Sequence, residues 1–168
     1  VPTLAAFQAA RLPWYMLMGM VTGVGSVVFS RLYLFSQGAI GRFTNPRTRM
    51  ALAGALIGAA VAMFPPLFGE GYEVINQLFL GYSDVLIEDV WMLEGSLALP
   101  SLIGWLVLAS CLKPMLTGFT TGAGGVAGIF APALFSGAIL GFAFALGLDG
   151  FMDPTTMPIG NSVLAGLC

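Results

Sequence analysis

GAGGVAGIFAPALFSGAILG, residues 122–141, sets a run of glycines with no charge directly ahead of a helix-like apolar segment. Each glycine inside a helix costs about 1 kcal/mol relative to alanine. So dense a run marks a place where backbone geometry matters more than side chains.

Composition sets the solvent in which that backbone works. The 168 residues are 58% hydrophobic and 8% charged, with a mean hydropathy of +0.93. Soluble domains carry about 25% charged residues, so this chain has too little charge to cover a water-facing surface. It reads as a multi-pass integral membrane protein. Six basic against eight acidic residues, a net charge of −2, argue against a nucleic-acid partner, which calls for a basic patch. With no histidine in the chain, a histidine base, metal ligand or triad is excluded. Cys111 and Cys168 lie far apart, and Cys111 sits in an apolar run. They suggest neither a disulfide framework nor a metal site, and no metal is expected.

A bilayer-spanning helix needs about 20 mostly apolar residues. Four runs qualify: residues 13–35, interrupted late by Arg31; 50–68, uncharged; 97–119, containing Lys113 and Pro114; and 128–148, uncharged. A fifth starts near Met157 and is truncated. The runs are too long for barrel strands of about 10 residues and show no alternation. The fold class is therefore all-α, a polytopic helical bundle. The chain opens at Val1, without a signal-peptide signature, and stops inside an apolar segment. It reads as a piece of a longer polypeptide.

The connections differ in charge. GRFTNPRTR, residues 41–49, carries Arg42, Arg47 and Arg49, and the positive-inside rule makes that loop cytoplasmic. Residues 69–96 carry Glu70, Glu73, Asp84, Glu88, Asp89 and Glu94 with no Lys or Arg, which assigns them to the opposite face. Within them YEVINQLFLG, residues 72–81, suits a short helix at the interface. Gly19 and Gly23, Gly54 and Gly58, Gly118 and Gly122, and Gly137 and Gly141 are spaced four apart. Such pairs let helix backbones approach closely in lipid. Arg31 and Lys113 either snorkel or pair near helix ends, or mark function within the membrane.

Gly122, Gly124 and Ala127 match G-x-G-x-x-A, with Asp149 about 20 residues further on. The context rejects a dinucleotide site: a long apolar run precedes the glycines where a short strand is needed. Two readings of residues 122–128 remain open on physical grounds. In one, the run is a loop between packed helices. In the other, a helix starting near Ile129 presents unpaired first-turn amides and partial positive charge to an anion. Pro132 suits an opening turn, where its missing N–H costs little. The absence of Lys or Arg beside the break then fits conduction, which needs weak binding.

GIFAP, Gly128–Pro132, resembles the GxFxP signature of the CLC family of chloride channels and chloride/proton antiporters. LKPMLTGFTTGAGGVAGIFAPALFSGAILG, residues 112–141, is similar to that family's helix, glycine-rich loop and following helix. FPPLFGEGYEVI, residues 64–75, is similar to its FPxxxGxGYxxI segment. The resemblance implies that residues 1–168 form most of the second of two inverted repeats. It implies chloride binding by the backbone amides of Ile129 and Phe130, with Ala131 serving an outer site and Gly128 admitting the ion closely. Ala127 stands where the family often has a second glycine. The GREGP-like gating motif, the GSGIP-like loop and the late tyrosine of the family do not occur in this sequence.

The function so implied is chloride transport, by channel or antiporter. Its expected partners are chloride, protons in an antiporter, the lipid bilayer (the cell membrane in a prokaryote) and a second copy of the full-length protein. Chloride is the substrate, and no cofactor is expected. Two rivals stand beside this reading: a transporter of another anion such as nitrate or fluoride, and a non-transporting membrane scaffold assembled through its glycine pairs. An intramembrane enzyme would need an acid/base pair that the four runs lack.

Overall fold

The computed structural model describes residues 12–69, 71–79, 99–151, 162–163 and 166. All regular structure among them is helical: α1 (Leu12–Gly41), α2 (Pro46–Met63), a 3-10 turn (Pro65–Leu67), α3 (Tyr72–Phe79), α4 (Leu99–Gly122) and α5 (Phe130–Phe151). Three stretches are long and apolar enough to cross a membrane: Leu12–Gly41, Ser101–Gly122 and Phe130–Leu148. Most of the run expected from Met157, the acidic residues Glu70, Asp84, Glu88, Asp89 and Glu94, and Cys168 lie outside the described residues.

The second run is divided, where the sequence suggests one span over 50–68. The helix starts earlier, at Pro46, because Asn45 caps it: its side chain accepts from the Arg47 amide at 3.0 Å. It stops at Met63 because Phe64 precedes Pro65, and a residue before proline is pushed out of helical geometry. Phe64 accordingly sits at φ −135° and ψ 74°. Its ring then packs on Trp105 of α4, centroids 4.7 Å apart. α1, by contrast, continues past Phe35 to Gly41. Its last carbonyl, that of Gly41, accepts from the Arg49 guanidinium at 2.9 Å, and the same guanidinium donates to Phe43 O in the loop that follows.

α4 lies between α1 and α5 and makes its most extensive contacts with these two. Its contact with α1 depends on glycine. A Cβ on Gly118 would stand 2.5 Å from Tyr33 O, and one on Gly122 2.7 Å from Gln37 O. The Gly137 and Gly141 pair meets residues 162 and 166 in the same way: a Cβ on Gly141 would strike Ser162 O, and one on Gly166 would strike Gly137 O. The other two pairs do not behave so, since Gly19, Gly23, Gly54 and Gly58 have nothing within 4 Å of a built Cβ.

The α4–α5 contact is organised by Pro114. A proline inside a helix cannot donate to the carbonyl four residues back, which here is that of Ser110. That carbonyl accepts instead from Ser136 Oγ of α5 at 3.0 Å, and Ser110 Oγ donates to Ser136 O at 3.3 Å. Both serines are buried. Around this pair Leu106, Phe135, Ala138, Ile139 and Phe142 form the core, and Val74 and Ile75 of α3 pack into it. The segment read as an interfacial helix is thus docked on α5.

Candidate functional site

The glycine run does two separate things. At its start it ends α4: Gly124 takes a φ of +98°, the left-handed region that costs other residues. Its amide donates to Thr121 O at 3.1 Å and that of Gly125 to Thr120 O at 2.9 Å. This is a Schellman closure, which satisfies the last carbonyls of the helix.

At its end the run opens α5 without closing anything. The helix begins at Phe130, one residue after the expected start, and its first bond runs from the Ala133 amide to Ile129 O at 3.0 Å. Ile129 occupies the capping position with a side chain that accepts no hydrogen bond. Pro132, third in the helix, has no amide to satisfy. The amides of Phe130 and Ala131 are the first-turn donors that remain, and no backbone carbonyl among the described residues accepts from them. Gly128, Ile129 and Phe130 are all exposed, and a Cβ on Gly128 would meet nothing within 4 Å.

Two cavities flank this helix start. One, of about 420 Å³, is lined by Gly128 and Ala131 together with Pro132, Lys113, Thr117 and Thr120. The other, of about 550 Å³, lies between α1 and α5 and takes Phe130, with Ser136, Thr22 and Ser26. Gly128 and Ala131 therefore share one chamber, Phe130 faces the other, and Ile129 lines neither.

The sequence reading singled out Lys113 as a charge within an apolar run but did not place it beside the glycine break. It expected no cation beside the glycine break, yet the side chain lines the smaller cavity. The residue is only 4% exposed. Its Nζ donates to Leu67 O at 2.8 Å and Gly69 O at 2.7 Å, and lies 4.8 Å from the centre of the Phe135 ring. One signal was present: Lys113, Thr117 and Thr120 recur at the spacing of one helix face. The two threonine hydroxyls donate within α4, to Lys113 O and Leu116 O at 3.0 Å each. That leaves the α5 amides and the ammonium as the electropositive groups of the chamber.

Similarity to known proteins extends along the whole chain. The chain matches the voltage gated chloride channel family over residues 1–168. It is 29% identical over 146 residues to a ClcB-like protein of Ralstonia nicotianae, covering 86% of this chain and 30% of that protein. It is 26% identical over 175 residues to the H(+)/Cl(-) exchange transporter ClcA of Vibrio campbellii, covering 99% and 34%. With the chloride channel protein CLC-f of Arabidopsis thaliana the identity is 30% over 149 residues, covering 86% and 17%. The chain thus spans about a third or less of these relatives' length. No solved structure matches. With three membrane-length helices and a family match along its whole length, the chain belongs to the voltage gated chloride channel family of membrane proteins.

Proposed function

We propose that this chain is part of a chloride-transporting domain, and that the anion is held at the start of α5 by backbone amides of Gly128, Ile129, Phe130 and Ala131. The observation that carries the reading is the open helix start: Ile129 provides no cap, Pro132 removes the third amide, and the two donors left adjoin cavities. Helix-terminal amides carry partial rather than full charge, so they attract a small anion without trapping it, as passage requires. Irregular backbone such as residues 125–129 survives in a membrane where it is covered by protein or lines a water-filled cavity. Transport rather than catalysis is the activity proposed. In the antiporter form of this reading protons are the second ion, by similarity to the exchange transporter named above. The functional unit is a homodimer of the full-length protein.

The test is chloride efflux from liposomes holding the full-length protein, with external pH recorded together with the flux. Chloride flux with protons moving the opposite way supports an antiporter, and flux without protons a channel. Flux of nitrate or fluoride in preference to chloride reassigns the substrate. No halide flux from correctly inserted protein overturns the proposal and leaves a scaffold.

A further inference from the structure

We propose that the turn between α1 and α2 binds the headgroup of an anionic phospholipid of the cytoplasmic leaflet, through Arg42 and Arg47. Membrane location is all that this requires of the chain; the anion reading of α5 does not enter. Residues 42–49 hold three of the six basic residues, and the chain has no acidic residue before Glu70. Arg42 and Arg47 are both exposed. The positive-inside rule assigns the turn to the cytoplasmic face, where anionic lipids concentrate and each nearby arginine adds about fivefold in affinity. A guanidinium fork also meets a phosphate with two parallel N–H donors, where an ammonium offers only a point charge.

The third arginine builds the frame. Arg49 donates to Gly41 O at 2.9 Å and to Phe43 O, and Asn45 accepts from the Arg47 amide at 3.0 Å. These bonds brace the backbone beside Arg42 and Arg47, so the two exposed side chains leave a fixed turn. Apolar surface adjoins them. Phe35, 67% exposed, precedes Arg42 by two helical turns and shares its face of α1, about 10 Å along the axis. Phe43 and Met50 are exposed beside the arginines in the turn and in α2. A phospholipid fits both features, its phosphate on the arginines and an acyl chain along Phe35. An acidic peptide would leave the apolar face uncovered.

The test titrates the full-length protein in detergent with phosphatidylglycerol, or with phosphatidylcholine of the same acyl chains, and counts bound lipid by native mass spectrometry. Arg42→Gln with Arg47→Gln removes the charge; Arg42→Lys with Arg47→Lys keeps the charge and loses the fork. Arg49 stays in both, so the turn keeps its frame, and circular dichroism checks the helices. The expected result is a wild-type preference for phosphatidylglycerol. The glutamine pair should bind that lipid at least tenfold more weakly and the lysine pair a few-fold more weakly, with phosphatidylcholine unchanged. Unchanged phosphatidylglycerol affinity in the folded glutamine pair overturns the proposal, and so does equal wild-type affinity for the two lipids. Should the glutamine pair not fold, the lysine pair decides: a few-fold loss supports the site, and full affinity overturns it in favour of diffuse surface charge. Displacement of the lipid by an equal concentration of glycerol phosphate overturns the lipid assignment, because the turn then takes a free phosphate.

Discussion

α2 and α5 both begin at a proline-containing turn, and they begin by opposite chemistry. At α2, Pro46 takes the first position and Asn45 accepts from the amide at the second, that of Arg47, at 3.0 Å. At α5 the proline sits third, as Pro132, and the capping position is Ile129. The first helix therefore closes its most prominent donors, and the second leaves its own open beside two cavities. A helix start that serves only stability is capped by its own side chain. One that serves a ligand has to leave that position to the ligand.

Giving α5 the cap that α2 has breaks the comparison most directly. Ile129→Asn places a side-chain acceptor against the Ala131 amide, where it competes with an anion. Hydrogen bonds to charged groups contribute about 1.5–3 kcal/mol, so chloride binding should weaken by about tenfold or more. Helix stability should move the other way, rising by about 1 kcal/mol as a cap is gained. Chloride titration and thermal unfolding of the full-length protein read the two signs separately. Unchanged chloride affinity in a stabilised protein would show that these amides bind no anion.

The other end of the loop sharpens the contrast with a smaller effect. Gly124 ends α4 at a φ of +98°, a region that costs an L-residue with a side chain about 1–2 kcal/mol. Gly124→Ala should lower stability by about that amount, because the amides of Gly124 and Gly125 lose their fit to Thr121 O and Thr120 O. Guanidinium or thermal unfolding in detergent measures it. If stability holds, the closure of α4 does not depend on glycine.

These residues also show how far the sequence was legible. Local features were readable in principle from neighbours: Pro65 stops α2, Asn45 and Pro46 start it, and Gly124 closes α4, each through backbone geometry within a few positions. Packing was not. Gly19 and Gly23 have the same spacing as Gly118 and Gly122, yet only the second pair touches another backbone, since spacing does not say which helix face meets a neighbour. Pro114 announces an orphaned carbonyl at Ser110, but nothing local names Ser136 as its partner. Lys113 was missed beside the site for the same reason. Its bonds to Leu67 and Gly69 join residues 46 and 44 positions apart, a distance only the fold closes. The segment GIFAP was legible as a candidate site because a helix start carries its chemistry in the backbone. The division of its residues between two chambers was not.

The smallest expected effect is the control on the α2 side. Asn45→Ala removes the acceptor for the Arg47 amide and should cost about 1 kcal/mol of stability, the usual value for a lost cap. The loss is limited because Arg49 still donates to Gly41 O and Phe43 O across the same turn, and because Pro46 still presets the first turn. Chloride affinity should stay as it is, since Asn45 lines neither cavity beside α5. Unfolding and chloride titration on one preparation test both halves of the statement. A stability loss with unchanged affinity, set against the reverse pattern in Ile129→Asn, is the signature of one helix start built to be closed and another built to be filled. Equal effects of the two variants on chloride would mean that the contrast between the termini has no bearing on the anion.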